Sequence, residues 1–494
     1  MIEDILEKTT FSRASLWLLG LFVAFCVFRK FQASAQIARL GLRAPKIEFR
    51  LPYALDFMFQ DYQANQVNGL IEFWDAKIRQ AGGLTNVKTA ELDAGISTRT
   101  IITKDPENIK ALLTRQFADY GKGESSHQEW KEFLGDSIFI TDGELWSRSR
   151  QLIRPMFVRD RIVDTEIFEK HVQKLIPLLG GSDSPSSSKV VDVGSLFFRY
   201  TLDAATDYLL GNGTDSLDNP ATRVFSFAMS RTEFRENLKI MDEFIQPYIQ
   251  TETFLDALAR FTRDPRVLRD QLVAILLAGR DTTAGTLSFC LFELSRNPEV
   301  VAKLRNEIRD RLGVGASAQK HSYTDLKEMK YLNAVLHETM RLYPVVPFNV
   351  RHSLRDTTLP RGGGPDGLAP VGVRANTRVI YSTLLMQRGP DLYDGPGSEK
   401  YFNPGEWIPE RWVSGWQPRP WHFIPFNGGP RICIGQQFAI IEMGYTVIRI
   451  LQAYERIIAL SVGGKDKVED PELQFEVTLS PGSELNCVFL KEGE

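Results

Sequence analysis

The sequence predicts a mainly α-helical protein with small β-sheets and one membrane-spanning helix near its amino terminus. From Tyr53 onward, apolar residues recur mainly at helical spacing, interrupted by strand-like pieces at residues 95–102 and at several places after Pro344. Before that point lies a short uncharged stretch between basic residues. With 494 residues, of which 43% are hydrophobic, the chain is long enough to bury a large core.

Composition and charge exclude some classes of function. The formal net charge is −3 and the chain has no polybasic footprint, so we expect no nucleic-acid partner. The four cysteines lack the spacing of zinc fingers or of a disulfide framework, which predicts a reducing compartment.

Residues 14–28 are predicted to be a transmembrane anchor. These 15 residues carry no charge, but as a helix they span only about 22 Å, against about 30 Å for the hydrocarbon core of a bilayer. The segment becomes long enough if the Arg13 side chain reaches the interface, because the residues back to Thr9 are also uncharged.

Charge asymmetry around this segment predicts its orientation. A cleaved signal peptide is the alternative, with small residues at 33–35 as its cleavage site. Acidic residues precede the segment and basic residues follow it, however, which is the reverse of a secretory signal. The positive-inside bias therefore places residues 1–13 on the non-cytosolic side. A basic, proline-containing linker at residues 29–52 and a globular domain at residues 53–494 follow in the cytosol.

Trp146 and Arg150 are four residues apart in a predicted helix and therefore share one face. On spacing alone, the favoured interpretation is a buried tryptophan beside a surface arginine. The functional alternative is an anion clamp, in which the indole N–H and the guanidinium both donate to one acidic ligand.

The longest predicted helix covers residues 270–296 and ends at Asn297-Pro298. Its middle, A-G-R-D-T-T-A-G at residues 278–285, contains residues that weaken a buried helix. The Thr282 hydroxyl can bond the carbonyl one turn back and open a notch. A simple bend is the structural alternative, but burying Asp281 is costly, and an acid beside a hydroxyl is suited to passing protons.

Glu338 and Arg341, three residues apart, predict a pair on one helix face, which as a lone motif is usually a weak surface salt bridge. The last motif is W-H-F-I-P-F-N-G-G-P-R-I-C-I-G-Q-Q-F at residues 421–438. Its glycines allow a tight loop around the sulfur of Cys433, and the helix that follows is expected to lower the pKa of this thiol. The result is a held thiolate, which is either a nucleophile or a metal ligand.

Taken in order, these motifs resemble the cytochrome P-450 family. The similarities are to its haem-binding signature (residues 421–438), its oxygen-activation segment (residues 278–283), its buried triad (Glu338, Arg341 and Arg411) and its propionate-binding helix (Trp146 and Arg150). The resemblance implies the cytochrome P-450 fold over the catalytic domain, residues 53–494, with Glu338, Arg341 and Arg411 in a structural role.

The resemblance also implies roles for the site residues. Cys433 is expected to be the axial thiolate ligand of haem iron. Thr282 and Asp281 are expected to deliver protons to bound dioxygen. The remaining expected haem contacts are Arg431, Phe426, Trp146, Arg150, Arg351 and Gly435.

The cofactor implied by the resemblance is haem b, which receives electrons from NADPH. The implied partners are NADPH–cytochrome P-450 reductase, cytochrome b5 as a second candidate, O2, a lipophilic substrate and the membrane. The implied location is the endoplasmic reticulum membrane, crossed once, with the catalytic domain in the cytosol.

Within the family, the residues of these motifs are similar to those of fungal enzymes that hydroxylate the terminal carbon of n-alkanes and fatty acids. The segments G-K-G at residues 121–123 and L-G-D-S-I-F at residues 134–139 favour the same group. The implied reaction is insertion of one oxygen atom of O2 into a C–H bond of a long apolar chain.

One departure from those enzymes lies at residues 210–263, where this chain is shorter. The relatives place two long helices and their connecting loop there as a lid over the substrate channel. Residues 225–229 resemble the start of the first helix and residues 234–249 the second, and the material between them is largely missing. Two alternatives therefore stay open. One is a haem-thiolate enzyme acting on another lipophilic substrate, such as a secondary metabolite, a xenobiotic or an oxidised lipid. The other is a lid-defective, non-catalytic haem protein.

Overall fold

The computed structural model describes residues 2–83, 87–94, 99–157, 163–180, 189–211, 213–218, 239, 242–243, 264–395, 398, 401–460 and 470–493. Most of the lid region at 210–263 lies outside the described residues, including nearly all of the helices predicted at 225–229 and 234–249. The chain divides into two compact units. Unit 1 comprises Met1–Asp61, Trp74–Gly121 and Val350–Tyr381; unit 2 comprises Tyr62–Phe73, Lys122–Asn349 and Ser382–Glu494.

Helices predominate among the described residues, which confirms the predicted fold class. The helices are α1 (Ile2–Leu40), α2 (Leu55–Gln66), α3 (Leu70–Arg79), α4 (Pro106–Lys110), α5 (Gly123–Leu134), α6 (Gly143–Ile153), α7 (Glu166–Leu179), α8 (Val193–Leu210), α9 (Pro265–Arg296), α10 (Pro298–Leu312), α11 (Tyr323–Glu328), α12 (Lys330–Leu342), α13 (Thr383–Gln387), α14 (Glu410–Val413) and α15 (Gln436–Ala453).

The strands form small sheets. They are β1 (Thr89–Asp93), β2 (Arg99–Thr103), β3 (Tyr120–Gly121), β4 (Val191–Asp192), β5 (Phe348–Ser353), β6 (Thr357–Gly363), β7 (Ala369–Val373), β8 (Arg378–Ser382), β9 (Arg456–Ala459), β10 (Leu473–Phe475), β11 (Leu479–Pro481) and β12 (Asn486–Leu490). The largest sheet has the order β1-β2-β8-β5-β3, and β6 and β7 form a separate antiparallel hairpin. The other sheets are β4-β12-β9 and β10-β11.

In unit 1, α1 runs without a break at residue 28, where the anchor was predicted to end. Among the described residues it is the one helix long and apolar enough to cross a membrane, with a candidate span at Leu16–Leu40 and a mean hydropathy of 1.5. Helical geometry therefore continues into the predicted linker. Near the end of α1, Ile37 is only 2% exposed, so this part of the helix is already covered by protein.

The carboxyl end of α1 is fastened to strand β7. The Leu42 N–H donates to the Pro370 carbonyl at 2.9 Å, and the Gly372 N–H donates to the Leu42 carbonyl at 2.9 Å. A Cβ on Gly41 would lie 2.8 Å from the Gly372 nitrogen, so glycine is required for this close approach.

In unit 2, α9 forms the centre of the core. It begins after Asp264, whose side chain accepts from the Arg266 N–H, and Pro265 occupies its first turn. It ends at Arg296, which confirms the carboxyl end that Asn297-Pro298 predicts. Side chains are buried around most of its circumference, and α8, α12 and α15 pack against it. Because this helix is apolar around most of its circumference, it is buried, and the residues at its middle lie deep inside unit 2.

The acid–arginine pair is buried, which confirms the buried triad that the resemblance implies and excludes the surface salt bridge that the spacing alone favours. Glu338 and Arg341 on α12 and Arg411 on α14 are each at most 1% exposed. Arg341 Nε donates to Glu338 Oε2 at 2.8 Å, and Arg411 Nε donates to Glu338 Oε1 at 3.3 Å. The remaining guanidinium N–H groups donate to backbone carbonyls of Phe402, Asn403, Pro404 and Glu406. The two guanidinium groups share one carboxylate and are hydrogen-bonded to backbone carbonyl oxygens as well, and burial of charge is tolerated only in such a hydrogen-bonded arrangement.

Candidate active site

The loop around Cys433 is shaped by backbone hydrogen bonds and glycines. The Cys433 N–H donates to the Phe426 carbonyl at 2.9 Å, and the Ile432 N–H donates to the Gly429 carbonyl at 3.0 Å. Gly429 has a φ of +66°, and a Cβ on Gly428 would lie 2.6 Å from the ring of Trp421. Only glycine fits these two positions without strain, so the tight loop predicted from the motif is present.

Cys433 opens on a cavity of about 380 Å³. The lining residues are Arg150, Arg154, Phe157, Gly429, Pro430, Ile432, Cys433 and Ile434. Cys433 is accessible from this cavity, although protein surrounds it on its other sides. Arg154 and Phe157 are members of this wall that the sequence analysis missed, because nothing in their spacing marks them.

The predicted lowering of the thiol pKa is wrong for the protein without metal. Burial raises the pKa of Cys433. The hydrogen bond from the Gly435 backbone and the positive charge of Arg150 act in the opposite direction but are smaller. A bound metal ion reverses this balance, since it deprotonates a coordinating thiol outright.

Cationic and aromatic side chains gather beside the cysteine loop. The Arg150 guanidinium lies 5.9 Å from the ring centre of Trp146, and that of Arg431 lies 4.6 Å from it. Arg150 Nη2 also donates to the Ile432 carbonyl at 3.0 Å. The structure thus brings Trp146, Arg150 and Arg431 together with Cys433, as expected for residues that hold an acidic ligand next to the sulfur.

Two predicted haem contacts are placed less directly. Arg351 belongs to unit 1, where it is 2% exposed, donates to the Val350 carbonyl at 2.8 Å and lies 5.7 Å from the ring centre of Tyr381. The backbone of Phe426 supports the cysteine loop through its carbonyl. Roles for the Arg351 guanidinium and the Phe426 ring stay predictions.

The predicted proton-handling pair lies in the middle of α9. The Thr282 hydroxyl donates to the Ala278 carbonyl at 2.7 Å, as expected from its spacing. The helix nevertheless continues without the predicted opening, because the added bond leaves the helical conformation intact. Leu277, Ala278, Gly279 and Thr282 are partly exposed, whereas the residues on either side of them in the middle of the helix are buried.

The carboxylate of Asp281 is paired with the guanidinium of Arg280. It is 6% exposed, and Arg280 Nε donates to its Oδ1 at 2.5 Å. Burial raises the pKa of Asp281, and the neighbouring Arg280 offsets only part of this rise. A carboxyl with a raised pKa exchanges protons more readily near neutral pH than an ordinary aspartate does.

A second buried acid was missed by the sequence analysis. Glu442 on α15 is 1% exposed, and its carboxylate has no well-aligned hydrogen bond among the described residues, with the Thr283 hydroxyl as its polar neighbour. Burial raises the pKa of Glu442 to about 8, and Thr283 of α9 offsets only a part of this. Glu442 is therefore predominantly protonated at neutral pH. Nothing in the sequence around Glu442 indicates that its carboxyl group is buried or that its pKa is raised.

The Glu442→Gln variant is expected to be more stable than the wild type at pH 8 and similar to it at pH 5. The unfolded carboxyl has an ordinary pKa of 4.5, against about 8 in the folded protein. Folding therefore takes up a proton within this window, and stability falls as the pH rises through it. Each pKa unit corresponds to about 1.4 kcal/mol, so the expected gain at pH 8 is a few kcal/mol.

Thermal unfolding at pH 5 and pH 8 measures this difference. The Glu328→Gln variant changes an exposed glutamate to the same amide and serves as the control. Parallel pH dependences for wild type and Glu442→Gln would contradict the raised pKa.

The donor set of the site fits an iron porphyrin. A thiol faces a cavity, and guanidinium groups next to it match the carboxylates of a porphyrin edge. Phe157 and two isoleucines supply apolar surface in the same wall. Nothing in this lining requires a different type of metal ligand.

Comparisons with known proteins agree with this chemistry. The family model described as cytochrome P-450 matches residues 94–260 and 229–483. A cytochrome P-450 monooxygenase of Talaromyces variabilis, pvhE, is 42% identical, with 94% of this chain and 93% of that protein covered. Cytochrome P-450 52A1 of Candida tropicalis is 40% identical over 77% of this chain and 76% of its own length. Cytochrome P-450 52A5 of Candida maltosa is 37% identical over 88% and 90%.

The alignment with the Talaromyces variabilis protein covers 516 positions, more than the 494 residues of this chain. That relative therefore contains residues that have no counterpart here. The shortened segment at residues 210–263 stays a prediction.

Proposed function

This chain belongs to the cytochrome P-450 family and is a monooxygenase, and on that basis we propose that it hydroxylates the terminal carbon of long-chain n-alkanes or fatty acids. The observation that carries the proposal is the Cys433 loop, in which a thiol opens on a cavity that Arg150 and Arg154 also line. The substrate class rests on the motifs that resemble fungal alkane and fatty-acid hydroxylases, and relatives named 52A are in keeping with it.

The cofactor of the family is haem b, with electrons from NAD(P)H delivered through a reductase. When bound, it supplies the activation of O2, of which one atom enters the C–H bond and the other is reduced to water. Cys433 ligates the iron through its sulfur. Trp146, Arg150 and Arg431 hold the carboxylates of the porphyrin, and the closed loop from Phe426 to Gly435 keeps the sulfur in place.

Proton transfer is assigned to α9. The Thr282 hydroxyl lies on the partly exposed face of the helix, and the carboxyl of Asp281 precedes it. Conversion of one oxygen atom of O2 to water, while the other enters the substrate, consumes two protons and two electrons, and a positioned hydroxyl next to an acid of raised pKa can deliver the protons. Arg280 keeps the Asp281 carboxyl oriented between deliveries.

The Thr282→Ala variant is expected to convert a smaller fraction of the NADPH it consumes into product, by about tenfold or more, because a general acid contributes about 10²-fold or more. Haem content and the carbon-monoxide difference spectrum should not change. Thr286→Ala is the matched control, since its hydroxyl also bonds the carbonyl one turn back, at 2.9 Å, but its side chain is buried at 3% exposure. Equal coupling of NADPH to product in wild type and Thr282→Ala would contradict the assignment.

Terminal attack requires control of the position of the substrate. The weakest C–H bonds of an alkane lie in mid-chain, so an unguided oxidant attacks there. A narrow channel that presents only the chain end overcomes this preference by positioning.

Membrane attachment suits such a substrate. The apolar helix at Leu16–Leu40 is a candidate span, and a long-chain hydrocarbon is concentrated in the bilayer. The proposed location is the endoplasmic reticulum membrane, with the catalytic domain in the cytosol. The proposed electron donors there are NADPH–cytochrome P-450 reductase and cytochrome b5.

The test is turnover of dodecane and lauric acid by the full chain in vesicles with NADPH and the reductase. Terminal alcohol that depends on both O2 and NADPH supports the proposal. Oxidation at inner carbons only, or turnover of other lipophilic compounds but of neither chain, overturns the substrate class. A thiolate-type carbon-monoxide spectrum without turnover of any substrate identifies a lid-defective haem protein, and product formation without O2 excludes the monooxygenase reaction.

A further inference from the structure

Three separate parts of unit 2 meet at the carboxylate of Asp142. Its Oδ1 accepts from the Lys122 N–H at 2.8 Å and from Arg431 Nη2 at 2.6 Å, and its Oδ2 accepts from the Gly123 N–H at 2.8 Å. Lys122 and Gly123 start α5, Asp142 directly precedes α6, and Arg431 belongs to the cysteine loop. One side chain therefore links both helix starts to that loop.

This use of Asp142 departs from what its position predicts. An aspartate immediately before a helix ordinarily accepts from the N–H groups of that helix's own first turn. The Asp142 side chain makes no such bond to α6. Asp142 accepts instead from the N–H groups of Lys122 and Gly123 at the start of α5. Lys122 directly precedes α5, and its side chain provides no cap.

The guanidinium of Arg431 is held on several sides by this arrangement. Its Nη2 donates to the Thr141 carbonyl at 2.7 Å as well as to Asp142, and its plane lies 4.6 Å from the ring centre of Trp146. Fixing a free arginine side chain in one rotamer costs about 2 kcal/mol of conformational entropy. Because Arg431 is already fixed before the ligand arrives, ligand binding does not incur this cost. Arg431 is thus oriented before a cofactor carboxylate reaches it.

The segment between α5 and α6 is fastened at a second point. Asp270 of α9 accepts from the Asp136 N–H at 2.8 Å, and Gln271 Oε1 accepts from the Ile138 N–H at 3.3 Å. A Cβ on Gly135 would lie 1.8 Å from the Asp270 carboxyl, so the close approach needs glycine. The motif at residues 134–139 is thereby tied to the helix that carries Thr282.

We propose that Asp142 is a positioning residue that holds Arg431 in its cofactor-binding orientation and couples it to the segment at residues 122–142. The inference rests on the proposed role of Arg431 in holding a haem carboxylate. It gives the G-K-G motif a physical role, since Lys122 and Gly123 donate the two backbone N–H groups that fix the Asp142 carboxylate.

The experiment measures haem release from the full-length holoprotein to excess apomyoglobin, followed by absorbance. Asp142→Asn is expected to release haem about tenfold faster, which corresponds to about 1.4 kcal/mol. An amide keeps the shape but cannot accept from the backbone N–H groups and from Arg431 at the same time. Asp136→Asn is the matched control, because Asp136 lies in the same segment but pairs with His127 at 2.7 Å.

Combination with Arg431→Lys separates the possible results. If Asp142 acts through Arg431, the Asp142→Asn substitution adds little to the release rate in the Arg431→Lys background. The same acceleration in both backgrounds, no acceleration, or equal acceleration by Asp136→Asn would overturn the inference. Unchanged release from Arg431→Lys alone would instead refute the proposed role of Arg431.

If a variant is isolated without haem, amide hydrogen exchange of residues 122–124 and 141–150 in the haem-free proteins replaces haem release. Non-additive effects of the two substitutions on exchange then support the coupling. Additive effects overturn it.

Discussion

Replacing Cys433 by alanine is expected to abolish monooxygenase activity and the thiolate-type carbon-monoxide difference spectrum. Cys433 opens on the cavity that Arg150 also lines, and no other cysteine of the described chain does so. The thiolate is the group that donates electron density to the iron in this family, so a methyl group in its place removes the function rather than weakening it. Activity below 1% of wild type is the expected result, as an order of magnitude for losing an essential ligand.

Cys487→Ala is the matched control for this variant. Cys487 is a buried thiol on β12, where burial raises its pKa to about 12, so it is inert. We expect this control to keep the carbon-monoxide spectrum and the turnover of wild type. If Cys433→Ala retained the thiolate spectrum, the assignment of the iron ligand would be wrong.

Replacing Glu338 by alanine is expected to cost about 3–5 kcal/mol, because removing one partner of a buried pair leaves uncompensated charge. Two guanidinium groups depend on this carboxylate, and Trp412 Nε1 also donates to it at 2.9 Å. Since domains have a total stability of about 5–15 kcal/mol, we expect little soluble holoprotein at 37 °C. Urea unfolding at 15 °C, together with haem content, measures the loss.

The control for Glu338→Ala is Glu328→Ala. Glu328 pairs with Arg311 at 3.1 Å, but both side chains are exposed, at 61% and 42%. Exposed pairs contribute about 0–1 kcal/mol, so this variant should unfold close to wild type. Similar losses for the two glutamates would show that burial of the triad contributes nothing.

Features that depend on short spacing were predictable from the sequence. The bond from Thr282 to the Ala278 carbonyl follows from helical geometry, and the tight loop before Cys433 follows from its glycines. The end of α9 at Arg296 was predicted from the following Asn-Pro. In each case the interacting groups lie within a few residues of one another, so local stereochemistry determines the outcome.

Features that depend on packing between distant segments were not predictable. Asp142 and Arg431 are 289 positions apart, and nothing local indicates that they pair. The buried state of Glu442 depends on how α15 packs against α9, and the raised pKa of Cys433 depends on the protein that packs around its sulfur. The resemblance places Arg351 among the haem contacts together with Cys433. Only the fold shows that Arg351 belongs to unit 1 and Cys433 to unit 2.

The joint between α1 and β7 has a mechanical consequence. Because Leu42 is hydrogen-bonded to both Pro370 and Gly372, we expect α1 and the β6–β7 hairpin to move together as one rigid element. Each residue added to the helix above the bilayer would raise the hairpin by about 1.5 Å and rotate it by about 100°. If Leu16–Leu40 spans the membrane, the number of helical residues between the bilayer and Leu42 therefore sets both the height and the rotational orientation of the hairpin.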